Sequence, residues 1–110
     1  MNPVILLLFA ILTEIIGTTA LKYSLGFTKL LPSLMVVVGY GISFYLFAVA
    51  LKNINLGAAY AIWSGVGTAG TVLISLYLLR EKLDFPMLIG IVLIILGVFV
   101  MSLFSKSITV

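Results

Sequence analysis

The stretch LLLFAILTEIIGTTALK, residues 6–22, holds one carboxylate, Glu14, in a run otherwise interrupted before Lys22 only by Thr13, Thr18 and Thr19. A run this long and apolar is suited to hydrocarbon rather than to a water-facing surface. A charge at its middle then needs a reason, because a carboxylate at the centre of a bilayer costs about 2.5–3.5 kcal/mol on insertion scales. The fold and the function both turn on what surrounds that residue.

The rest of the chain fits the same solvent. Hydrophobic residues make up 64% of its 110 residues and charged residues 8%, far from the roughly 45–50% and 25% of soluble domains. Three further apolar runs follow the first, so that the runs cover approximately 4–21, 33–51, 57–79 and 87–104. Each is near the ~20 residues that a helix needs to span the membrane core. The breaks KYSLGFTKLLP (22–32), KNINLG (52–57) and REKLDFP (80–86) are short and rich in turn-forming and charged residues. The expected fold is an all-α integral membrane protein: a single four-helix transmembrane domain over residues 1–110, with tight loops. The first run has no basic flank and no A-x-A site, and it contains Glu14, so it reads as a retained helix rather than a signal peptide.

Net charge is +3, from six basic and three acidic residues. The basic residues sit between apolar runs, where anionic lipid headgroups and not nucleic acid are the expected partner. Four spans put Lys22, Lys29, Arg80 and Lys82 on one side and Lys52 and Lys106 on the other, a weak positive-inside bias that permits insertion in either orientation. Cysteine and histidine are absent, which removes disulfides, soft-metal sites and imidazole proton relays. No nucleophile–base pair or metal cluster can be assembled, which argues against an enzyme, and no cofactor or metal is expected.

Glu14 lies ten residues into its run, about 15 Å deep at ~1.5 Å per residue. No basic residue shares that depth. A protonated Glu bonding a neighbouring helix would be a structural alternative, but Gln or Asn would serve without the charge. A functional carboxyl group, able to hold and exchange a proton, is the better reading. On a helix its face carries Leu7, Ala10, Ile11, Gly17, Thr18 and Leu21, mostly small near the carboxylate. The second run offers Tyr40, Phe44 and Phe47 with Gly39 and Ser43 nearby, and the third offers Tyr60, Trp63 and Gly67. An anion walled by aromatic faces suits a lipophilic organic cation. Packing and interface belts are the ordinary roles of such aromatics, and Tyr60 and Trp63 are the pair most apart from them.

Glycines punctuate the last two runs. In AIWSGVGTAG (61–70), Ala61, Gly65 and Ala69 form a small-xxx-small row, and Gly65 and Gly67 permit either close packing or a hinge. The fourth run, PMLIGIVLIILGVFVMSLF (86–104), has no polar residue before Ser102 and aligns Gly90 with Gly97, a helix–helix contact. One chain with one central acid cannot readily enclose a gated path. Two copies inserted in opposite senses would resemble the inverted repeats of longer transporters.

These motifs together resemble the small multidrug resistance family over essentially the whole chain. The resemblance rests on MNP at the start, Glu14 followed by IIGTTALK, GFTKLLPS after the first run, AAYAIWSGVG in the third, LDFP before the fourth, and the Gly90/Gly97 pair. It implies an antiparallel, dual-topology homodimer in the bacterial inner membrane that exchanges protons for cationic hydrophobic small molecules by alternating access. The family's proton- and substrate-binding carboxylate falls on Glu14. Its substrate-site aromatics fall on Tyr40, Tyr60 and Trp63, with Gly17, Thr18, Ser43 and Phe44 lining the same space. Its hinge falls on Gly65 and Gly67, and its dimer contact on Gly90 and Gly97.

There are departures. Multidrug members often carry Tyr at position 4 and Trp at position 45, where this chain has Val4 and Tyr45, so one aromatic wall is thinner. The guanidinium-exporting branch typically has a Trp three residues after the Glu, where this chain has Gly17; the quaternary-ammonium branch is therefore the expectation. Two other classes compete with it. A non-transporting membrane subunit would leave the mid-membrane acid unexplained, and a passive cation channel would show flux independent of a proton gradient.

Overall fold

The computed structural model describes residues 2–104, the side chains of residues 102 and 104 excepted. Lys106, which enters the charge balance, lies outside the described residues, as does the side chain of Ser102. Four helices form: α1 (Pro3–Tyr23), α2 (Leu30–Ala50), α3 (Leu56–Tyr77) and α4 (Phe85–Phe104). At 20 to 22 residues each is about 30 Å long, the thickness of the hydrocarbon core. The first three are long and apolar enough to cross a membrane, and α4 is apolar over Phe85–Met101. The four runs read from the sequence are these helices, with ends shifted by no more than a few residues.

The helix starts follow from local chemistry. Asn2 caps α1 by accepting the Val4 N–H at 2.8 Å, and Pro3 fills the first position, where a missing N–H costs nothing. Asp84 caps α4 in the same way, its Oδ1 accepting from the Met87 N–H at 3.1 Å, with Pro86 in the first turn. The LDFP segment is thus a helix start.

The chain divides into two compact units, Met1–Lys52 and Asn53–Val110. In the first, α1 packs on α2 through backbone as well as side chains. A Cβ added to Gly39 would lie 3.1 Å from both the Gly17 Cα and the Thr13 carbonyl oxygen. Leu7, Ala10, Ile11, Gly17 and Ala20 of α1 and Val36, Gly39, Ser43 and Ala50 of α2 are buried. Such close approach of small residues is how helices associate in lipid, where apolar burial against a partner gains little over burial in acyl chains.

The turn between them is organised by Ser24, which is 0% exposed. Its hydroxyl donates to the Leu21 carbonyl at 2.7 Å and accepts from the Phe27 N–H at 3.1 Å. Its own carbonyl accepts from the N–H groups of Thr28 and Lys29. The loop between these bonds is left-handed at Leu25 (φ 49°), Gly26 (φ 72°) and Phe27 (φ 65°). Only the middle residue is free of a Cβ penalty there.

In the second unit α3 meets α4 at Gly65. A Cβ on that residue would overlap the Val98 side chain, and Ile94 lies just beyond. Past the end of α3, Arg80 turns the chain at φ 55°. Glu81 then folds back, its N–H donating to the Ser75 carbonyl at 2.9 Å and its Oε1 accepting from the Ser75 hydroxyl at 2.5 Å. The outward surfaces of all four helices carry residues such as Phe9, Val38, Leu73 and Leu93, which suits a lipid solvent. The fold is that of an all-α, multi-pass membrane protein.

Candidate functional site

Glu14 sits at the centre of α1 and is half-buried. Its Oε1 accepts a hydrogen bond from the Thr18 hydroxyl, one turn later, at 2.8 Å. Thr18 Oγ1 in turn lies 2.8 Å from the Tyr40 hydroxyl of α2. A hydroxyl has one proton to give. With Glu14 ionised, Thr18 donates to the carboxylate and Tyr40 donates to Thr18. With Glu14 protonated, the carboxyl O–H can become the donor and the order reverses. The three residues form a chain whose hydrogen-bond direction follows the charge on the acid.

The geometry of that chain depends on a missing side chain. A Cβ on Gly17 would come within 2.8 Å of Tyr40 Cδ1 and 3.0 Å of Cε1, so glycine is what lets the tyrosine ring lie on α1. Tyr40 also faces Phe44, ring centroids 6.1 Å apart and planes tilted by 37°. Phe44 is 61% exposed. Ser43 is placed differently: it is 0% exposed and donates to the Ala10 carbonyl at 2.7 Å. It fastens α2 to α1 behind the acid. Among the described residues Glu14 makes no ion pair, and the only bond given to its carboxyl group is the one from Thr18.

The structure therefore gathers Glu14, Gly17, Thr18, Tyr40, Ser43 and Phe44 in the first unit. The other sequence-predicted residues lie in the second. Tyr60 is 62% exposed on α3, Trp63 is partly exposed one turn on, and Gly67 is buried. Gly65 is occupied by its contact with Val98. Gly90 and Gly97 of α4 have nothing within 4 Å of an added Cβ among the described residues. Sequence reasoning had no sign of the two-bond clasp from Ser75 to Glu81, since the six-residue separation falls outside helical spacing.

Comparison with known proteins follows the same lines. The family described as Small Multidrug Resistance protein matches residues 2–94. The multidrug transporter EmrE of Escherichia coli (strain K12) is 49% identical over 107 residues, 97% of each chain. The quaternary ammonium compound-resistance protein QacE of Escherichia coli is 48% identical over 101 residues, 92% of each chain. QacC of Staphylococcus aureus, a quaternary ammonium compound-resistance protein, is 38% identical over 105 residues, 96% of this chain and 98% of its own. With a four-helix membrane fold and a mid-span acid already in place, the chain belongs to the small multidrug resistance family.

Proposed function

We propose that this protein exports lipophilic and quaternary ammonium cations from the bacterial cell in exchange for protons, by alternating access across the inner membrane. The observation that carries the reading is the Glu14–Thr18–Tyr40 chain, an acid in mid-membrane whose polar neighbours can follow either of its charge states. A cation neutralises the carboxylate electrostatically and a proton neutralises it covalently, so the two compete. Binding of one favours loss of the other, and an inward proton gradient drives outward cation movement. The relatives' names, which speak of multidrug transport and quaternary ammonium resistance, support this direction.

The residues divide the work. Glu14 binds proton and substrate; Tyr40, Tyr60, Trp63 and Phe44 supply aromatic faces for cation–π and apolar contact. Gly17 and Thr18 line the acid, and Ser43 holds the wall in register from behind. The active unit is an antiparallel homodimer in which two Glu14 carboxylates share a site. The Gly90/Gly97 pair of α4 supports a contact between copies. Gly65 and Gly67 act as the hinge of α3, the first of them pivoting against Val98.

The test is proton release. Adding tetraphenylphosphonium to the detergent-solubilised protein should release protons in the wild type and not in Glu14→Gln, which should also lose proton-coupled uptake in vesicles. Cation binding without proton release would overturn the exchanger reading in favour of a channel or a binding subunit.

A further inference from the structure

The hydroxyl groups of α3 fall on one side of the helix. Tyr60, Ser64, Thr68, Thr71 and Ser75 follow one another at intervals of four, four, three and four residues. At ~100° per residue they lie within an arc of about 80°. The row borders the face that carries Trp63 and Gly67 and stands about a quarter-turn from Gly65, where α4 packs. It ends at the helix terminus, where the Ser75 hydroxyl donates to the Glu81 carboxylate at 2.5 Å. The row runs from Tyr60, in the second turn of α3, to Ser75 in its last turn.

What these hydroxyls bond distinguishes them from others in the protein. Threonines in helices commonly satisfy themselves by donating to the carbonyl one turn back. On α1 two of the three do so: Thr13 donates to the carbonyls of Phe9 and Ala10, and Thr19 to that of Ile15, while Thr18 donates to Glu14. On α3, Tyr60, Ser64, Thr68 and Thr71 have no hydrogen bond from their hydroxyls among the described residues. None of these oxygens is sealed off either, since no buried side-chain polar atom lacks a partner there. A membrane-spanning helix with a row of accessible, unpaired hydroxyls does not turn that row to acyl chains. Water, or a solute that brings its own hydrogen bonds, is what satisfies it.

We propose that the Tyr60–Ser64–Thr68–Thr71–Ser75 row, ending on Glu81, is a hydrated track along most of α3 that passes water and the transported cation through the membrane to its surface. The track rests on the transport reading only for what moves along it. Its hydration stands or falls alone. The hydroxyls replace part of the hydration shell of a cation in transit, and the Ser75–Glu81 bond marks where the track meets the end of α3. Thr68 and Thr71 are then residues that determine how polar a cation the protein handles.

The chain has no cysteine, so single substitutions report without background. Ser64→Cys, Thr68→Cys, Thr71→Cys and Ser75→Cys are to be compared in proteoliposomes with Leu73→Cys, on the opposite, outward side of α3. The probe is a charged, membrane-impermeant methanethiosulfonate. A thiol reacts as its thiolate, which forms in water and not in hydrocarbon, so the track cysteines should react on the order of ten times or more faster than Leu73→Cys. Tetraphenylphosphonium should slow them. Rates at Thr68→Cys and Thr71→Cys no greater than at Leu73→Cys would overturn the track, and Ser64→Cys, a one-atom exchange, gives the same answer should a threonine variant fold poorly. Inaccessible cysteines in a protein that still releases protons on cation binding overturn the track alone. Reactive cysteines in a protein that releases none overturn the exchanger and keep the track.

Discussion

The α1–α2 pair turns its polar groups inward, whereas α3 keeps most of its own facing out. In the first unit Ser43 reaches the Ala10 carbonyl, Tyr40 reaches Thr18, and glycines at 17 and 39 bring the backbones together. In the second, α3 meets α4 at a glycine under a valine, while among the described residues the hydroxyls of Tyr60, Ser64, Thr68 and Thr71 make no hydrogen bond and an added Cβ at Gly90 or Gly97 meets no atom within 4 Å. The contrast teaches where specificity is stored. The first unit is held by directional bonds that fix one acid in place. In the second unit the described contact between helices is the packing of Gly65 under Val98.

That contrast can be broken by substitution. The largest effect is expected for Gly65→Leu, whose side chain overlaps Val98 and has no space to relax; overpacking of this kind costs about 1–3 kcal/mol or more, read as loss of folded α3–α4 in denaturant titrations. Unchanged stability would mean α4 is not seated on Gly65. Gly90→Leu with Gly97→Leu starts from positions where an added Cβ meets no atom within 4 Å among the described residues, so folding should survive while self-association weakens on the order of tenfold, about 1.4 kcal/mol, in a fluorescence-transfer assay between labelled copies. Gly17→Ala should displace the Tyr40 ring, costing about 1 kcal/mol of stability and weakening tetraphenylphosphonium binding; retained affinity would detach Tyr40 from the site. Ser43→Ala should be the mildest, about 0.6 kcal/mol, the average of a single interhelical hydrogen bond in a membrane. A loss several times larger would show that Ser43 also positions Glu14.

Much of this architecture was legible in the residues. Apolar run length located all four helices, because in hydrocarbon a backbone must close its hydrogen bonds within the segment. Glu14 was conspicuous for the same reason, and Gly17, Thr18 and Tyr40 came from helical spacing and the family resemblance. What stayed hidden depends on conformation rather than on composition. Gly26 announces a left-handed residue, but nothing in Leu25 or Phe27 does, since branched and aromatic side chains disfavour positive φ. The fastening role of Ser43 was invisible because a serine between two aromatics reads equally well as a lining residue. Gly65 offered packing and hinge alike, and its contact with Val98 is a distance no spacing rule contains. The polarity of Ser64, Thr68 and Thr71 was plain in the letters, but a hydroxyl that bonds its own backbone and one that does not are spelled alike.

The Ser24 turn has a consequence for how the first unit can change over evolutionary time. Surface loops ordinarily accept insertions at little cost. This one is closed by bonds at both ends of its left-handed segment, so it behaves as a rigid coupling between two shafts. Adding or deleting one residue would break this bond pattern, which sets the register that places Tyr40 on Thr18 and Gly39 on Gly17. The length of this loop is therefore a tuning parameter of the acid's surroundings, set well away from the acid itself.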